Sequence, residues 1–203
     1  MRYRRKDAYY RRARAAGYRA RSAYKLAELD RRFGLLGPGD FVVDLGAWPG
    51  GWLQVVLERV GPLGRVVGVD VVAPAPLSAS NVVLVTGDVR DPLTSAAVVT
   101  HLGRRADVVL SDLAPKLTGV RATDEARCAD LTQAALAALP VLLRPGGRFL
   151  MKLFTGLGDE PLGAELRQRF AEVRLTRPEA TRRGSAELYA FGLRYGGAGG
   201  PEA

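Results

Sequence analysis

The chain predicts an α/β fold: a mostly parallel seven-stranded sheet, helices on both faces, and an antiparallel hairpin at one edge. Three observations carry this. Short apolar runs alternate with longer amphipathic or Ala/Leu-rich segments. The runs are near-continuously apolar, as in strands covered on both faces, and do not alternate with polar residues. The last two runs lie close together with no full helix between them, which suits antiparallel pairing.

A basic segment, 1–33, comes first. Residues 1–32 hold twelve Lys and Arg against three Asp and Glu, while the remaining residues balance, so the whole formal charge of +9 sits on this stretch. Ser22 is placed to cap a helix over AYKLAELDRRF, with Tyr24, Leu26, Ala27 and Leu29 partly inward. Gly34 and Gly37-Pro38-Gly39 end it. Phe41–Leu45 is the first strand. A glycine-rich turn then opens a helix with Trp52, Leu53, Val55, Val56, Leu57 and Val60 at helical spacing.

Val66–Val72 is the second strand, broken by Pro74 and Pro76, and Asn81–Val85 is the third. A helix runs from Pro92 to about Leu102, with Asp91 a better cap than Asp88. The fourth strand, Asp107–Ser111, ends at Asp112-Leu113-Ala114-Pro115. A helix from about Thr123 to Leu143 stops at Arg144-Pro145-Gly146-Gly147, and Arg148–Phe154 is the fifth strand. A helix over Leu162–Phe170 and strands Glu172–Leu175 and Leu188–Leu193 follow. The tail 196–203, GGAGGPEA, reads as flexible. With no internal repeat and no second core, residues 1–203 read as one domain.

Composition excludes several classes. A single cysteine, Cys128, allows no internal disulfide and fits a reducing, cytoplasmic setting. One histidine, His101, and no CxxC argue against a metal site. No apolar run is long enough to span a bilayer, and the charged N-terminus is not a secretory signal. Arginines interleaved with Tyr3, Tyr9, Tyr10 and Tyr18 suit a polyanion; Arg4, Arg5, Arg11, Arg12, Arg19 and Arg21 are candidate nucleic-acid contacts.

In parallel sheets, ligands bind beyond the carboxyl ends of the strands. Here Asp44, Asp70, Asp88 and Asp112 each stand at such an end. The stretch VVDLGAWPGGW, Val42 to Trp52, is a strand, a tight turn and a helix start, the form that holds a nucleotide-like cofactor. Its glycines read G-x-x-x-G-G (Gly46, Gly50, Gly51) with Pro49 inside, unlike the G-x-G-x-x-G of dinucleotide binders. That spacing points to S-adenosylmethionine. Asp70 is placed to take the ribose hydroxyls and Asp88 the adenine amino group, with Trp52 and Trp48 either flanking the cofactor or in the core. Lys152, in GGRFLMKLF, occupies a strand position that otherwise wants an apolar side chain, so it is paired or functional.

Together these residues resemble the FtsJ/RrmJ family of RNA ribose 2′-O-methyltransferases. The parts are GYRARSAYKL at 17–26, VVDLGAWPGGW at 42–52, GDVRD at 87–91, VLSDLAP at 109–115, PGGRFLMKLF at 145–154 and SAELY at 185–189. The resemblance implies a Rossmann-like class I methyltransferase fold and a catalytic tetrad of Lys25, Asp112, Lys152 and Glu187, with Lys152 accepting the proton. It implies cofactor contacts from Gly50, Trp52, Asp70, Asp88 and Asp112, with Gly46 and Pro49 shaping the turn. It also implies S-adenosylmethionine as donor, S-adenosylhomocysteine as product, no metal, and RNA as partner. The expected substrate is a uridine of large-subunit ribosomal RNA in a ribosomal particle, with a monomeric, non-membrane enzyme. Two positions depart from the family pattern: Trp48, where a small residue is common, and Lys116, where Asn is usual. Three rival readings stand beside this one: a tRNA ribose methyltransferase, a non-catalytic RNA-binding or assembly factor, and an NAD(P)-dependent oxidoreductase. Against the last there is no Tyr-x-x-x-Lys pair.

Overall fold

The computed structural model describes residues 8–154, 159–181 and 187–197. The elements are α1 (Ala8–Ala15), α2 (Ser22–Phe33), β1 (Phe41–Leu45), α3 (Gly51–Val60), β2 (Arg65–Asp70), β3 (Val82–Thr86), α4 (Pro92–Leu102), β4 (Ala106–Ser111), α5 (Arg121–Leu142), β5 (Leu143–Phe154), α6 (Asp159–Arg169), β6 (Phe170–Thr176) and β7 (Glu187–Tyr195). They build one seven-stranded sheet in the order β3-β2-β1-β4-β5-β7-β6. Strands β1 to β5 run parallel to one another, and β7 runs antiparallel between β5 and β6. The expected hairpin is therefore present, with its second strand threaded inside the first.

Strand period places alternate side chains on two apolar layers. Val43, Leu45, Val67, Val69, Val109, Phe149 and Met151 face one layer, covered by α4, α5 and α6. Val42, Val66, Val108, Leu110, Leu150, Tyr189 and Phe191 face the other, where α2 and α3 bring Leu26, Leu29, Trp52, Leu53 and Val56. These strands are buried on both faces, which is why they read as continuous apolar runs.

Several local expectations shift. The basic segment forms a helix of its own, α1. Arg21, not Ser22, stands at the N-cap of α2, with no side-chain cap bond; Ser22 is already helical. Strand β2 stops at Asp70 because the Asp70 carboxylate accepts the N–H of Val72 and turns the chain. Asp91 caps α4, accepting from the Leu93 N–H at 2.9 Å. Helix α5 gives way to β5 at Leu143, before the Pro-Gly-Gly stretch, because Leu143 is buried and pairs with Ala106; a register irregularity between Ala106 and Val108 absorbs the residues between. Of the tail, 198–203 lies outside the described residues.

Candidate active site

The chain order reverses between β1 and β4, and the carboxyl ends of β1, β2, β3 and β4 splay around a cavity of about 700 Å³. Gly46, Trp48, Pro49, Asp70, Asp88, Asp112 and Lys152 all line it. Gly46 has φ +85°, and a Cβ there would sit 2.9 Å from the Leu113 backbone nitrogen, so the turn after β1 lies flush on the chain leaving β4. Asp70 accepts the Trp48 N–H on one carboxylate oxygen and the Val72 N–H on the other, both at 2.9 Å. Each oxygen keeps an acceptor direction for a ligand hydroxyl. Asp88 is gripped by the Arg90 side chain, which also reaches Asp130 at 3.0 Å across the cavity rim. The Arg90 hydrogen bonds hold the Asp88 carboxyl below the usual range.

Gly50 and Trp52 stand behind this wall. Gly50 has φ +106° and faces Arg19, and Trp52 is buried with its indole N–H donating to the Ser22 carbonyl at 2.9 Å. Neither lines the cavity. Trp48 is the reverse: 58% exposed, at the cavity mouth, with exposed Val71 and Val72 also on its lining. Lys116 lines the mouth as well.

At the other side of the cavity the four tetrad residues come together in two pairs. Lys152 and Tyr189 are directly opposed across the β5–β7 ladder, and Glu187 lies two residues along, so all three share a face. Helix α2 packs on that face and presents Lys25. The Lys152 ammonium lies 2.9 Å from Asp112 Oδ1 and 2.9 Å from the Asp112 carbonyl oxygen. Lys25 is ion-paired with Glu187. Burial raises the Glu187 carboxyl, but Lys25, Lys152 and Arg21 outweigh it and leave it below its ordinary value. Lys25 and Lys152 are both buried.

From sequence, Tyr189 goes unmarked and Asp44 is only one of four strand-tip acids. Tyr189 is fully buried between the pairs: its hydroxyl lies 3.5 Å from Asp112 Oδ1, and the Lys25 ammonium stands 5.8 Å from its ring centre. Burial first, then the Asp112 and Glu187 charges, drive its hydroxyl pKa well up, so it stays a neutral spacer. Its place in SAELY, two residues from Glu187, was the available signal. Asp44 is fully buried, and neither carboxylate oxygen has a hydrogen-bond partner among the described residues. Burial, with the Asp112 and Asp70 charges, pushes it well above the carboxylate range.

The candidate nucleic-acid arginines divide. Arg4 and Arg5 lie outside the described residues. Arg11 and Arg12 are exposed on α1, Arg12 over the Tyr24 ring at 5.2 Å. Arg21 donates to the Ala180 carbonyl at 2.6 Å, and Arg19 is turned onto the backbone carbonyls of Ala75 and Pro76, in the connection that follows Asp70. Among the described residues no group of three His, Cys, Asp or Glu is placed to hold a metal ion. None of their helices is long and apolar enough to cross a membrane.

Residues 18–195 match the model of the FtsJ-like methyltransferase family. The chain belongs to this family. It is 45% identical, over 99% of its length and 94% of the relative's, to the ribosomal RNA large subunit methyltransferase E of Myxococcus xanthus. To the protein of the same name from Methanothrix thermoacetophila it is 46% identical over 93% of its length and 72% of the relative's. Among solved structures, a protein assigned as a ribosomal RNA methyltransferase from Plasmodium falciparum superposes with a TM-score of 0.79 at 26% identity, covering 89% of this chain and 100% of that one. MycE methyltransferase, solved with SAH, shares the fold alone, with a TM-score of 0.57 at 15% identity over 98% of this chain and 52% of that one.

The residues fit S-adenosylmethionine. The turn at Gly46, packed flush on the chain leaving β4, lines the cavity, the carboxylates of Asp70 and Asp112 border it, and Asp44, unpartnered among the described residues, is buried near them. A donor with a sulfonium charge, a diol and an amino group meets acceptors along that length.

Proposed function

We propose that this chain methylates a ribose 2′-hydroxyl of RNA, the acceptor being a uridine of large-subunit ribosomal RNA within a ribosomal particle in the cytoplasm. The observation that carries the reading is the pair of buried lysines, each held by a carboxylate, at the edge of the cofactor cavity. Bound S-adenosylmethionine supplies an electrophilic methyl group. The protein must bring the 2′ oxygen in line with that carbon and remove its proton as the new bond forms. Lys152, as the free amine, receives the proton on Nζ, and Asp112 fixes where that nitrogen points. Lys25, anchored by Glu187, donates to the ribose and holds it. Tyr189 keeps the two lysines apart in a dry wall. The large-subunit relatives at about 45% identity over nearly the whole chain support the ribosomal acceptor over tRNA.

The decisive measurement maps 2′-O-methyl groups in total RNA from cells lacking the protein. One ribose of large-subunit RNA is expected to lose its methyl group and to regain it when purified protein and donor are added to particles from those cells. Intact ribosomal methylation with a lost tRNA ribose methyl would transfer the reading to tRNA. A lost base methyl would end the ribose assignment.

A further inference from the structure

We infer that Arg19 is a positioning residue for cofactor binding, a latch between the N-terminal segment and the cavity wall, and not a phosphate contact. The inference rests on the reading of the cavity as the S-adenosylmethionine site. The Arg19 guanidinium donates from Nη1 to the Ala75 carbonyl and from Nη2 to the Pro76 carbonyl, both at 2.5 Å, and Nη1 lies 3.5 Å from the Pro49 carbonyl. Its main chain is pinned as well. The Arg19 N–H donates to Gln54 Oε1 at 2.7 Å, and Gln54 Nε2 donates back to the Gly17 carbonyl at 2.9 Å. One arginine thus joins three pieces of chain: the strap before α2, the glycine turn, and the connection that leaves Asp70.

That connection has few restraints of its own. Val71, Val72, Ala73, Ala75 and Pro76 are exposed, and none of them lies in a strand. Pro74 and Pro76 have no N–H, so the connection cannot satisfy its carbonyls by folding into a backbone ladder. A planar fork that meets two successive carbonyls does what an ammonium does poorly. Gly50 leaves room for it: a Cβ there would lie 2.9 Å from Arg19 Nη1 and 3.1 Å from its Cδ. The left-handed backbone at Gly50, φ +106°, calls for glycine in any case, and the arginine occupies the space beside it. Pro49, whose carbonyl Arg19 approaches, lines the cavity with Trp48, and Val71 and Val72, in the connection that Arg19 holds at Ala75 and Pro76, line it too; Asp70 begins that connection. Releasing the latch leaves binding to order that wall each time.

Calorimetric titration of S-adenosylhomocysteine into the full-length protein, Arg19→Lys and Arg19→Met tests this. RNA affinity is measured in parallel across a salt series on a large-subunit ribosomal RNA fragment. We expect Arg19→Met to weaken cofactor binding about tenfold and Arg19→Lys several-fold, as the loss of charge-assisted hydrogen bonds predicts. RNA affinity and its salt slope stay at the wild-type values in both. Arg19→Lys keeps the charge and loses the fork, so it guards against a Met variant that folds poorly; thermal unfolding monitors both. Unchanged cofactor affinity in Arg19→Lys and Arg19→Met overturns the latch. So does a salt slope lowered by about 0.7–0.9 in Arg19→Met alone, which marks a phosphate contact. A wild-type protein that does not bind S-adenosylhomocysteine overturns the cofactor reading and the latch with it.

Discussion

Asp107 and Asp44 are both buried aspartates on adjacent strands, yet they stand at opposite ends of the sheet with pKa values pushed in opposite directions. At the amino ends, Asp107 accepts from Arg104, from Arg144 at 2.6 Å and from the Phe41 N–H at 2.8 Å. Burial would raise its pKa, but these partners bring it down to about 2. Asp40 there is likewise held by Arg148 at 2.8 Å, and Asp30 by Arg59 at 2.8 Å. At the carboxyl end Asp44 has no hydrogen-bond partner among the described residues, and Asp70 and Asp112 face the cavity. Burial and its two acidic neighbours drive Asp44 towards the neutral acid. One end spends its charges on holding strands and helices together. At the other, acids crowd around the cavity although Asp112 is paired with Lys152 and Asp88 with Arg90, so crowding among acids, and not pairing alone, separates the working, cavity end from the structural one.

The largest effect should come from Lys152, the cation at the working end. Lys152→Ala should cut turnover by at least about a hundredfold while S-adenosylhomocysteine still binds, because general-base removal costs roughly 10²–10⁴ in rate. Lys152→Arg should not rescue it, since a guanidinium does not give up its proton. Full turnover in Lys152→Ala would remove the base assignment and leave the working end a binding site only.

The second effect is on stability and belongs to the amino end. Asp107 has a folded pKa of about 2 against an ordinary value of 3.8, so its contribution is fully present above about pH 4 and is lost as pH falls towards 2. The exposed flanks of Arg104 and Arg144 admit solvent, so the contribution is discounted to roughly 1–2 kcal/mol. Asp107→Asn should lower the unfolding free energy by that amount at pH 7, and the gap to wild type should close as pH approaches 2. A gap that persists unchanged at low pH would mean that Asp107 acts through packing or its neutral hydrogen bonds, and the contrast with Asp44 would fail.

The contrast also separates what is legible in the sequence from what is not. The strand runs, the G-x-x-x-G-G turn and the strand-tip acids are local patterns, and each sits within a few residues of its expected place. That Lys25 and Glu187 meet is suggested only by family motifs, because they come together only after β7 folds back between β5 and β6. Nothing local announces that Asp107 is paired and Asp44 is not, since both are an aspartate in an apolar run. Arg19 shows the same limit. Beside other arginines it reads as one of a basic cluster, and only tertiary contact with Ala75 and Pro76 turns it inward. The strand at Leu143 escaped because Pro-Gly-Gly signals a break, while burial of Leu143 against Ala106 decides the boundary.

The smallest effect compares arginines. Arg104 is committed to Asp107 and packs over the Phe41 ring at 3.9 Å, whereas Arg11 and Arg12 stand exposed on α1. A guanidinium already neutralised by a protein carboxylate releases few counterions when RNA arrives, whereas each one that meets a phosphate lowers the log–log salt slope by about 0.7–0.9 when removed. Arg11→Ala with Arg12→Ala should therefore flatten the salt dependence of RNA binding by about 1.5 and weaken it uniformly across sequences. Arg104→Ala should leave the slope alone and cost stability. Equal slopes in all three proteins would place the RNA contacts elsewhere than α1. A slope lowered by Arg104→Ala would show that the amino end also meets RNA, and pairing with an aspartate would no longer separate structural arginines from working ones.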